Sequence, residues 1–186
     1  PWLAENLSRS PALVNRILSS NFNTKFSTLN ELQEDLQTAL KHGEEFSQKI
    51  KIIRRWKHDM EFQVGIRLLK NSILQGFAQT SLSNIAETVI KKTLELLRAE
   101  ITPKVDAQIA ITAMGRLGTK ELTFGSDLDL VFVYESTQDG AAKYAAKIAQ
   151  QMTHIFTTFS EDGILYNVDT RLRPQGNEGA LATSFA

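Results

Sequence analysis

Two aspartates in the second half of the chain have the side chains most suited to chemistry. Asp127 and Asp129 are two residues apart, in a segment that begins at Gly115. On an extended strand this spacing points both carboxylates out of the same face. Like charges held side by side repel each other, so a bound cation would stabilise the pair, and hard carboxylate oxygens select magnesium or manganese. The pair therefore predicts a divalent-cation site and, with it, phosphoryl or nucleotidyl transfer.

A third carboxylate lies in a later segment where apolar and polar side chains alternate. Residues 164–173 predict a strand whose polar face carries Asn167, Asp169, Arg171 and Arg173. If this strand pairs beside the one that holds Asp129, Asp169 completes a cluster of three carboxylates, which can hold two divalent ions against a triphosphate. Two roles are then open for Arg171 and Arg173. They neutralise phosphate oxygens, or they form structural ion pairs with the carboxylates.

Three glycines precede or separate these groups along the chain. Gly115, Gly118 and Gly125 would let the backbone approach a ligand and direct amide hydrogens at phosphate oxygens. The alternative is that they only form turns, just as an isolated Asp-x-Asp pair is typical of a solvated strand end. The occurrence of the glycine-rich segment together with the later arginine-rich one favours a phosphate site.

The composition argues against several other classes of protein. The 186 residues include 21 basic and 21 acidic side chains, so the formal net charge is zero and no basic stripe indicates a nucleic-acid partner. The absence of cysteine excludes disulfides and thiolate metal sites. No apolar run approaches 18 residues, and the first residues carry no export signature. We therefore expect no nucleic acid, no membrane and a cytoplasmic location.

The chain has helical spacing up to about residue 100. Thr28 and Glu31 have the spacing of a capping box, and Gly43 is placed to act as a left-handed C-terminal cap, so a helix is predicted over about 29–42. From residue 44 onward an apolar stripe predicts one long helix. The members of that stripe are Phe46, Ile50, Ile53, Met60, Val64 and Leu68.

A third helix is predicted to begin at Ser81 or Ser83 and to end at Pro103. Its apolar residues are Leu82, Ile85, Val89, Leu94 and Leu97. Because the apolar faces of the three helices need partners, together they predict a helical bundle.

From residue 104 the pattern changes to short β-branched runs and one helix. Strands are predicted over 108–114 and 128–134, the second with its apolar side chains opposite Asp127 and Asp129. A helix is predicted over about 140–160 and ends at Gly163. Its stripe is Tyr144, Ile148, Met152, Ile155 and Phe159. The fold class is therefore α+β, with a helical region over 1–103 and a mixed region over 104–186.

The glycine-rich segment of the mixed region resembles a known superfamily. Gly115-Arg116, a ten-residue spacer and the two aspartates are similar to the polymerase-beta-like nucleotidyltransferase pattern of Gly-Gly or Gly-Ser, a spacer and Asp-x-Asp. Arg116 departs from that general pattern. However, Gly-[Lys/Arg]-Leu-Gly followed by Ser-Asp-x-Asp-Leu is what glutamine synthetase adenylyltransferases look like.

Two further segments resemble the same family. One is similar to its second signature and consists of Val168-Asp169-Thr170-Arg171-Leu172-Arg173-Pro174-x-Gly176, then Gly179 and Ala182-Thr183-Ser184. The other lies in the long helix, at Arg54-Arg55-Trp56-Lys57 and Val64-Gly65-Ile66-Arg67-Leu68-Leu69. The resemblance thus covers roughly residues 44–186.

This resemblance implies a fold, a reaction and partners. The expected fold is a helical bundle followed by a polymerase-beta-like sheet with flanking helices, truncated at its C-terminal side. Enzymes of the family transfer AMP from ATP to a tyrosine of glutamine synthetase with Mg²⁺ or Mn²⁺, and a PII signalling protein regulates them. The motifs resemble the carboxy-terminal, adenylylating half, of which the chain would be a fragment. The alternatives are the half that removes AMP by phosphorolysis, and a nucleotide-binding module without catalysis.

The resemblance also implies a role for each motif residue. Asp127, Asp129 and Asp169 would bind magnesium, and Asp169 would lie nearest the attacking tyrosine oxygen as a base or an orienting group. The expected nucleotide contacts are Gly115, Arg116, Gly118, Ser126, Arg171 and Arg173. Thr119 stands where the family more often has glycine or serine, so the resemblance implies no role for it.

Overall fold

The computed structural model describes residues 27–102, 105–172, 176 and 179–185, which have the predicted α+β architecture. The helices α1 (Leu29–Leu40), α2 (Phe46–Leu69) and α3 (Gln75–Glu100) come first. After them come β1 (Gln108–Ala113), α4 (Gly115–Gly118), β2 (Leu128–Glu135), α5 (Ala141–Thr157), β3 (Val168–Asp169) and β4 (Ala182–Ser184). None of the described helices is long and apolar enough to cross a membrane.

The chain divides into two compact units, one ending at Val89 and the other beginning at Ile90. The division falls within α3. The boundary that the sequence predicts at Pro103 lies outside the described residues.

The first helix begins with the predicted capping box. Thr28 Oγ1 accepts a hydrogen bond from the Glu31 amide, and Glu31 Oε2 accepts one from the Thr28 amide at 2.6 Å. The prediction for Gly43 was wrong. It is buried and has no left-handed φ, and a Cβ there would lie 2.9 Å from Ile52 Cδ1. Close packing with the following helix, rather than a cap, therefore explains this glycine.

The long second helix agrees with the predicted stripe in part, because Phe46, Met60 and Leu68 are only half-buried. Ile50, Ile53 and Val64 are buried, together with Phe62. The same helix buries Trp56, whose indole nitrogen donates to Asp35 Oδ2 of α1 at 2.6 Å. This hydrogen bond gives the polar edge of a buried aromatic ring its partner.

The third helix starts earlier than predicted. It begins at Gln75, so Ser81 and Ser83 lie inside it and do not cap it. Their hydroxyls donate to the carbonyl oxygens of Phe77 and Gln79, one turn earlier. Bonds of this kind to the preceding turn let a serine lie inside a helix, which they weaken or bend slightly without ending it.

The mixed sheet is built around β2. Strand β1 pairs with it antiparallel, with Ala113 opposite Leu130. Strands β3 and β4 pair with it in parallel, β3 beside Leu128 and Asp129, and β4 beside residues 132–134. The side chains of Leu128, Leu130 and Phe132 are buried on one face of β2. The aspartates therefore belong to the opposite face, as the alternation predicted.

Helix α5 carries the expected stripe but is shorter than predicted. Tyr144, Ile148, Met152 and Ile155 are buried, whereas the helix ends at Thr157. Phe159 is therefore outside the helix and is 77% exposed. Gly163, with φ of +82°, belongs to a later turn, in which its amide donates to the carbonyl oxygen of Ser160.

The third predicted strand is much shorter in the structure. Within the described residues 164–172, only Val168–Asp169 pair as a strand. The segment before it is bound to the end of α5, because the amides of Leu165 and Tyr166 both donate to the Phe156 carbonyl oxygen. Leu172, predicted on the apolar face, is 57% exposed. The alternation of residue types was correct near Asp169 but did not mark the ends of the strand.

Candidate functional site

Asp129 and Asp169 lie side by side on neighbouring parallel strands. Their Cα atoms are register partners, although 40 positions separate them in the sequence. Register partners in a sheet project their side chains to the same face. The pairing that brings Asp169 next to Asp129 was an inference from the sequence, and the structure shows it.

The Asp129 carboxylate is packed against the backbone of Gly115. The Gly115 φ is +51°, and a Cβ at this position would lie only 2.1 Å from Asp129 Oδ2. The amide of Met114 donates to the Asp129 carbonyl oxygen at 2.9 Å, which holds the turn after β1 against the start of β2. Residue 115 must therefore be glycine for two separate reasons, conformation and space.

Arg171 binds the Asp169 carboxylate from two directions. Its amide donates to Oδ1 at 2.8 Å, and its guanidinium donates to both carboxylate oxygens, with Nε 2.9 Å from Oδ2. These side-chain and backbone hydrogen bonds stabilise the ionised form and lower the pKa of Asp169 from 3.8 to about 2. The ion-pair role that the sequence left open for Arg171 is the one seen in the structure.

All three aspartates act electrostatically on Arg171. The hydrogen bond and charge of Asp169 raise the pKa of the Arg171 guanidinium most, and the charges of Asp129 and Asp127 raise it further. Asp127 precedes β2 and is exposed. Across the described part of the chain, no three acidic or histidine side chains are close enough to form a ready-made metal cage.

Helix α4 and the loop that joins it to β2 hold the other predicted ligand-binding residues. Arg116 Nη1 donates to Thr123 Oγ1 at 3.1 Å, and Thr123 Oγ1 lies 2.7 Å from Ser126 Oγ. Gly118 lies at the end of α4, where a Cβ would meet the Ala113 carbonyl oxygen at 2.7 Å. Side-chain hydrogen bonds thus connect Arg116 of α4 to the loop before β2. Close backbone contact holds the end of α4 against the end of β1.

The structure brings together most of the residues that the sequence singled out. Asp129, Asp169 and Arg171 lie at one end of the sheet, with Gly115 against Asp129. Arg116 and Ser126 are linked through a residue that the sequence analysis did not select, Thr123. A threonine three positions before a serine, across a glycine-containing turn, is a signal that could have identified it. Arg173 lies outside the described residues.

Strand β4 is a second feature that the sequence analysis did not predict as structure. The segment Ala182-Thr183-Ser184 was noted only as part of a motif, yet it forms a parallel strand beside β2. Three residues are too few for an alternation of polar and apolar side chains to be recognised. Its Thr183 is the register partner of Val133, so it lies on the same face of the sheet as Asp129.

Comparison with known proteins agrees with this arrangement of motifs. The family model described as glutamate-ammonia ligase adenylyltransferase matches residues 1–186. The bifunctional glutamine synthetase adenylyltransferase/adenylyl-removing enzyme of Brucella melitensis biotype 1 is 32% identical over 98% of the chain. The proteins of the same name from Bordetella pertussis and Bradyrhizobium diazoefficiens are 31% and 30% identical over 100% of the chain.

The chain spans 20% of the length of each of these curated relatives. The family model, in contrast, matches it from the first residue to the last. The chain therefore belongs to the glutamate-ammonia ligase adenylyltransferase family.

Proposed function

We propose that this chain transfers AMP from ATP to a tyrosine of glutamine synthetase in a magnesium-dependent reaction that regulates nitrogen assimilation. The observation that carries the proposal is the side-by-side pairing of Asp129 and Asp169, with Gly115 against one carboxylate and Arg171 on the other. The name of the relatives supports glutamine synthetase as the protein substrate. A PII signalling protein is proposed as the regulator of the full-length protein.

Magnesium fits the donors that this site offers. The available ligands are carboxylate oxygens, and a Cβ at residue 115 would fill the space beside Asp129 Oδ2. Magnesium is usually bound by one or two carboxylates and completed by substrate phosphates and water, so a ready-made cage of three protein ligands is not required. Asp127 and Asp129, joined by Asp169, would hold the ion, and manganese suits the same donors. When bound, the ion would neutralise charge on the phosphates.

The residues of the chain would act mainly by positioning and by charge. The tyrosine oxygen forms a bond to the α-phosphorus of ATP and loses its proton to solvent, while the bond from the α-phosphorus to the bridging oxygen breaks and pyrophosphate leaves with that electron pair. Arg116, Ser126 and Arg171 would donate hydrogen bonds to phosphate oxygens, with Arg173 as a further candidate. Donors that are already oriented where negative charge develops stabilise such a transition state without reorganisation.

Asp169 would orient the attacking hydroxyl rather than remove its proton while Arg171 remains bound to it. A carboxylate with a pKa of about 2 is a weak base at neutral pH. It still accepts hydrogen bonds and can direct the tyrosine oxygen toward phosphorus. If Arg171 moved to the phosphates, the pKa of the Asp169 carboxylate would rise toward 3.8, and its main role would still be orientation.

Two variants of the full-length protein test the proposal. Asp127→Asn and Asp129→Asn each remove one carboxylate charge with little change in size, and we expect each to lower AMP transfer at least about 100-fold. The measurement is labelling of glutamine synthetase from ATP labelled at the α-phosphate, in the presence of magnesium. Asp139→Asn, which makes the same change in an exposed loop after β2, serves as the control. Retained labelling in the Asp127 and Asp129 variants would exclude the proposed site.

The opposite reaction is the second candidate, because the name of the matched relatives includes an adenylyl-removing activity. In that reaction phosphate attacks the AMP bound to tyrosine, ADP leaves and the tyrosine hydroxyl is restored. Incubation of AMP-modified glutamine synthetase with phosphate separates the two cases. In the full-length protein, loss of ADP release in Asp127→Asn with AMP transfer retained would assign this chain to removal. A nucleotide-binding module without catalysis is disfavoured because all three aspartates are present.

A further inference from the structure

A four-residue turn precedes Asp127 and the strand β2, which carries Asp129. In residues 123–126 the Ser126 amide donates to the Thr123 carbonyl oxygen at 3.1 Å. Gly125 has φ of +75°, the conformation that the third position of a type II turn requires. Ser126 is followed directly by Asp127, so the geometry of this turn determines where the aspartate segment begins.

Thr123 ties this turn together through its side chain. Its amide donates to Ser126 Oγ at 3.2 Å, and the two hydroxyl oxygens are 2.7 Å apart. On its other side, Thr123 Oγ1 accepts a hydrogen bond from Arg116 Nη1 at 3.1 Å. One hydroxyl group thus contacts two of the side chains to which the proposed function gives a phosphate-binding role.

The donors and acceptors of these groups suggest an order along the network. A hydroxyl group has one hydrogen to donate and two lone pairs to accept with. Since Thr123 Oγ1 accepts from Arg116, it can donate its own hydrogen to Ser126 Oγ. The serine oxygen then accepts from both the amide and the hydroxyl of Thr123. Either hydroxyl could be the donor in this contact, and when Thr123 donates, the Ser126 hydrogen is left for a further acceptor, as are the other N–H groups of the Arg116 guanidinium.

We propose that Thr123 is a positioning residue, whose hydroxyl group orients Arg116 and Ser126 so that both donate to the phosphates of the bound nucleotide. This inference rests on the proposed function and deepens it. Thr123 does not contact the nucleotide itself. Its hydroxyl group restricts the rotation of the Arg116 side chain and of the Ser126 hydroxyl before the nucleotide binds. Less conformational freedom is therefore lost on binding.

The test is a comparison of nucleotide affinity in the full-length protein. Thr123→Val removes the hydroxyl group and keeps the shape of the side chain, and we expect it to weaken Mg–ATP binding by about 5- to 10-fold, the effect of one hydrogen bond of ordinary strength. The dissociation constant is measured by calorimetry. The KM for ATP should rise by a similar factor, whereas kcat should change by less than about 2-fold, because the loss affects binding of the nucleotide in all its states.

Thr123→Ser is the conservative variant that distinguishes positioning from packing. It keeps the hydroxyl group and removes a methyl group, so it should bind Mg–ATP within about 2-fold of wild type if the hydrogen bonds matter. Thr137→Val makes the same chemical change as Thr123→Val in the exposed loop after β2 and should have no effect. Thermal unfolding of every variant checks its fold, and Thr123→Ala replaces the valine variant if valine is not tolerated.

A double mutant shows whether Thr123 acts through Arg116. Arg116→Met alone should weaken binding, and adding Thr123→Val should weaken it by less than the product of the two single effects. Three outcomes would overturn the positioning role while leaving AMP transfer intact. They are independent effects of the two single substitutions, wild-type affinity of Thr123→Val, and failure of Thr123→Ser to restore binding. A wild-type protein that binds ATP but does not label glutamine synthetase would contradict only the proposed function. A wild-type protein that binds no nucleotide would overturn both.

Discussion

Asp169 shows how one neighbour can change the chemistry of a carboxylate. Its two oxygens receive hydrogen bonds from the amide and the guanidinium of Arg171, and its pKa is about 2 as a result. The same guanidinium is also within the electrostatic influence of Asp127 and Asp129. Before any ligand is bound, Arg171 thus offsets part of the negative charge of the three aspartates, a role that a bound cation would share or take over.

The pKa of Asp169 should return toward its ordinary value when Arg171 is removed. We expect Arg171→Met to raise it from about 2 toward 3.8, because the hydrogen bonds that favour the ionised carboxylate are lost. A pKa that is lowered by folding stabilises the protein above the ordinary value, and this contribution is lost as the pH falls from about 4 to about 2. The measurement is a carbon-13 NMR titration of the Asp169 carboxyl group without metal. Arg116→Met is the control and should leave this titration unchanged.

Gly115 should not accept any side chain. We expect Gly115→Ala to destabilise the protein by about 1–3 kcal/mol and to abolish magnesium-dependent ATP binding, because the new Cβ would collide with Asp129 Oδ2 and φ is positive. Urea denaturation and calorimetry measure the two effects.

Gly76→Ala is the matched control, since no atom lies within 4 Å of the added Cβ in α3. That change should be neutral or stabilise by up to about 1 kcal/mol. Normal ATP binding by Gly115→Ala would contradict the assignment.

At the scale of elements, the central strand β2 has the largest effect on the site. It pairs antiparallel with β1 on one side and parallel with β3 and β4 on the other, and its first residues carry the paired aspartate. The two-residue strand β3 is sufficient because its two register pairs, Val168 with Leu128 and Asp169 with Asp129, set the position of Asp169. A longer strand was predicted from the alternation of residue types, but backbone hydrogen bonds to the end of α5 limit it before Val168.

The capping box of α1 offers a test of local structure. We expect Thr28→Ala to destabilise the helical unit by about 1 kcal/mol, because the amide of Glu31 loses its side-chain acceptor. Thr38→Ala makes the same change at an exposed position inside α1 and should be neutral or slightly stabilising, since alanine has the higher helix propensity. Urea denaturation of the three proteins gives the difference. Equal stability of the two variants would show that the cap contributes nothing.

At the scale of the whole molecule, each compact unit has a hydrophobic core of its own. Leu36, Ile53 and Phe62 are fully buried in the first unit, and Leu130 and Phe132 are buried in the second. The chain also spans only 20% of the length of its relatives. Experiments on AMP transfer therefore belong in the full-length protein, whereas packing can be tested within each unit.

Cavity-creating substitutions should affect the two units separately. Phe62→Ala and Phe132→Ala each remove a buried ring, and we expect each to cost about 3–5 kcal/mol in the unit that contains it. Amide hydrogen exchange followed by mass spectrometry locates the loss of protection. Phe62→Ala should raise exchange mainly before residue 90, and Phe132→Ala mainly after it. An equal loss of protection throughout the chain in both variants would show that the units unfold as one.

The sequence by itself determined the local features, because these depend on residues only a few positions apart. The capping box of α1, half of the buried stripe of α2 and the alternation around Asp129 were predicted correctly from such short-range patterns. The family was also recognisable from two separated motifs, because each motif is itself a local arrangement of residues.

The tertiary structure alone decided what the functional side chains contact. Asp169 is beside Asp129 because strands 40 residues apart pair. No periodic pattern of residue types links positions that far apart in the sequence. Arg171 donates hydrogen bonds to Asp169, and Thr123 links Arg116 to Ser126. Both contacts depend on loop conformations that no hydrophobic pattern specifies. The sequence could therefore name the carboxylates and the glycines, but the lowered pKa of Asp169 and the hydrogen-bond partner of Arg116 follow from distances that only the folded chain creates.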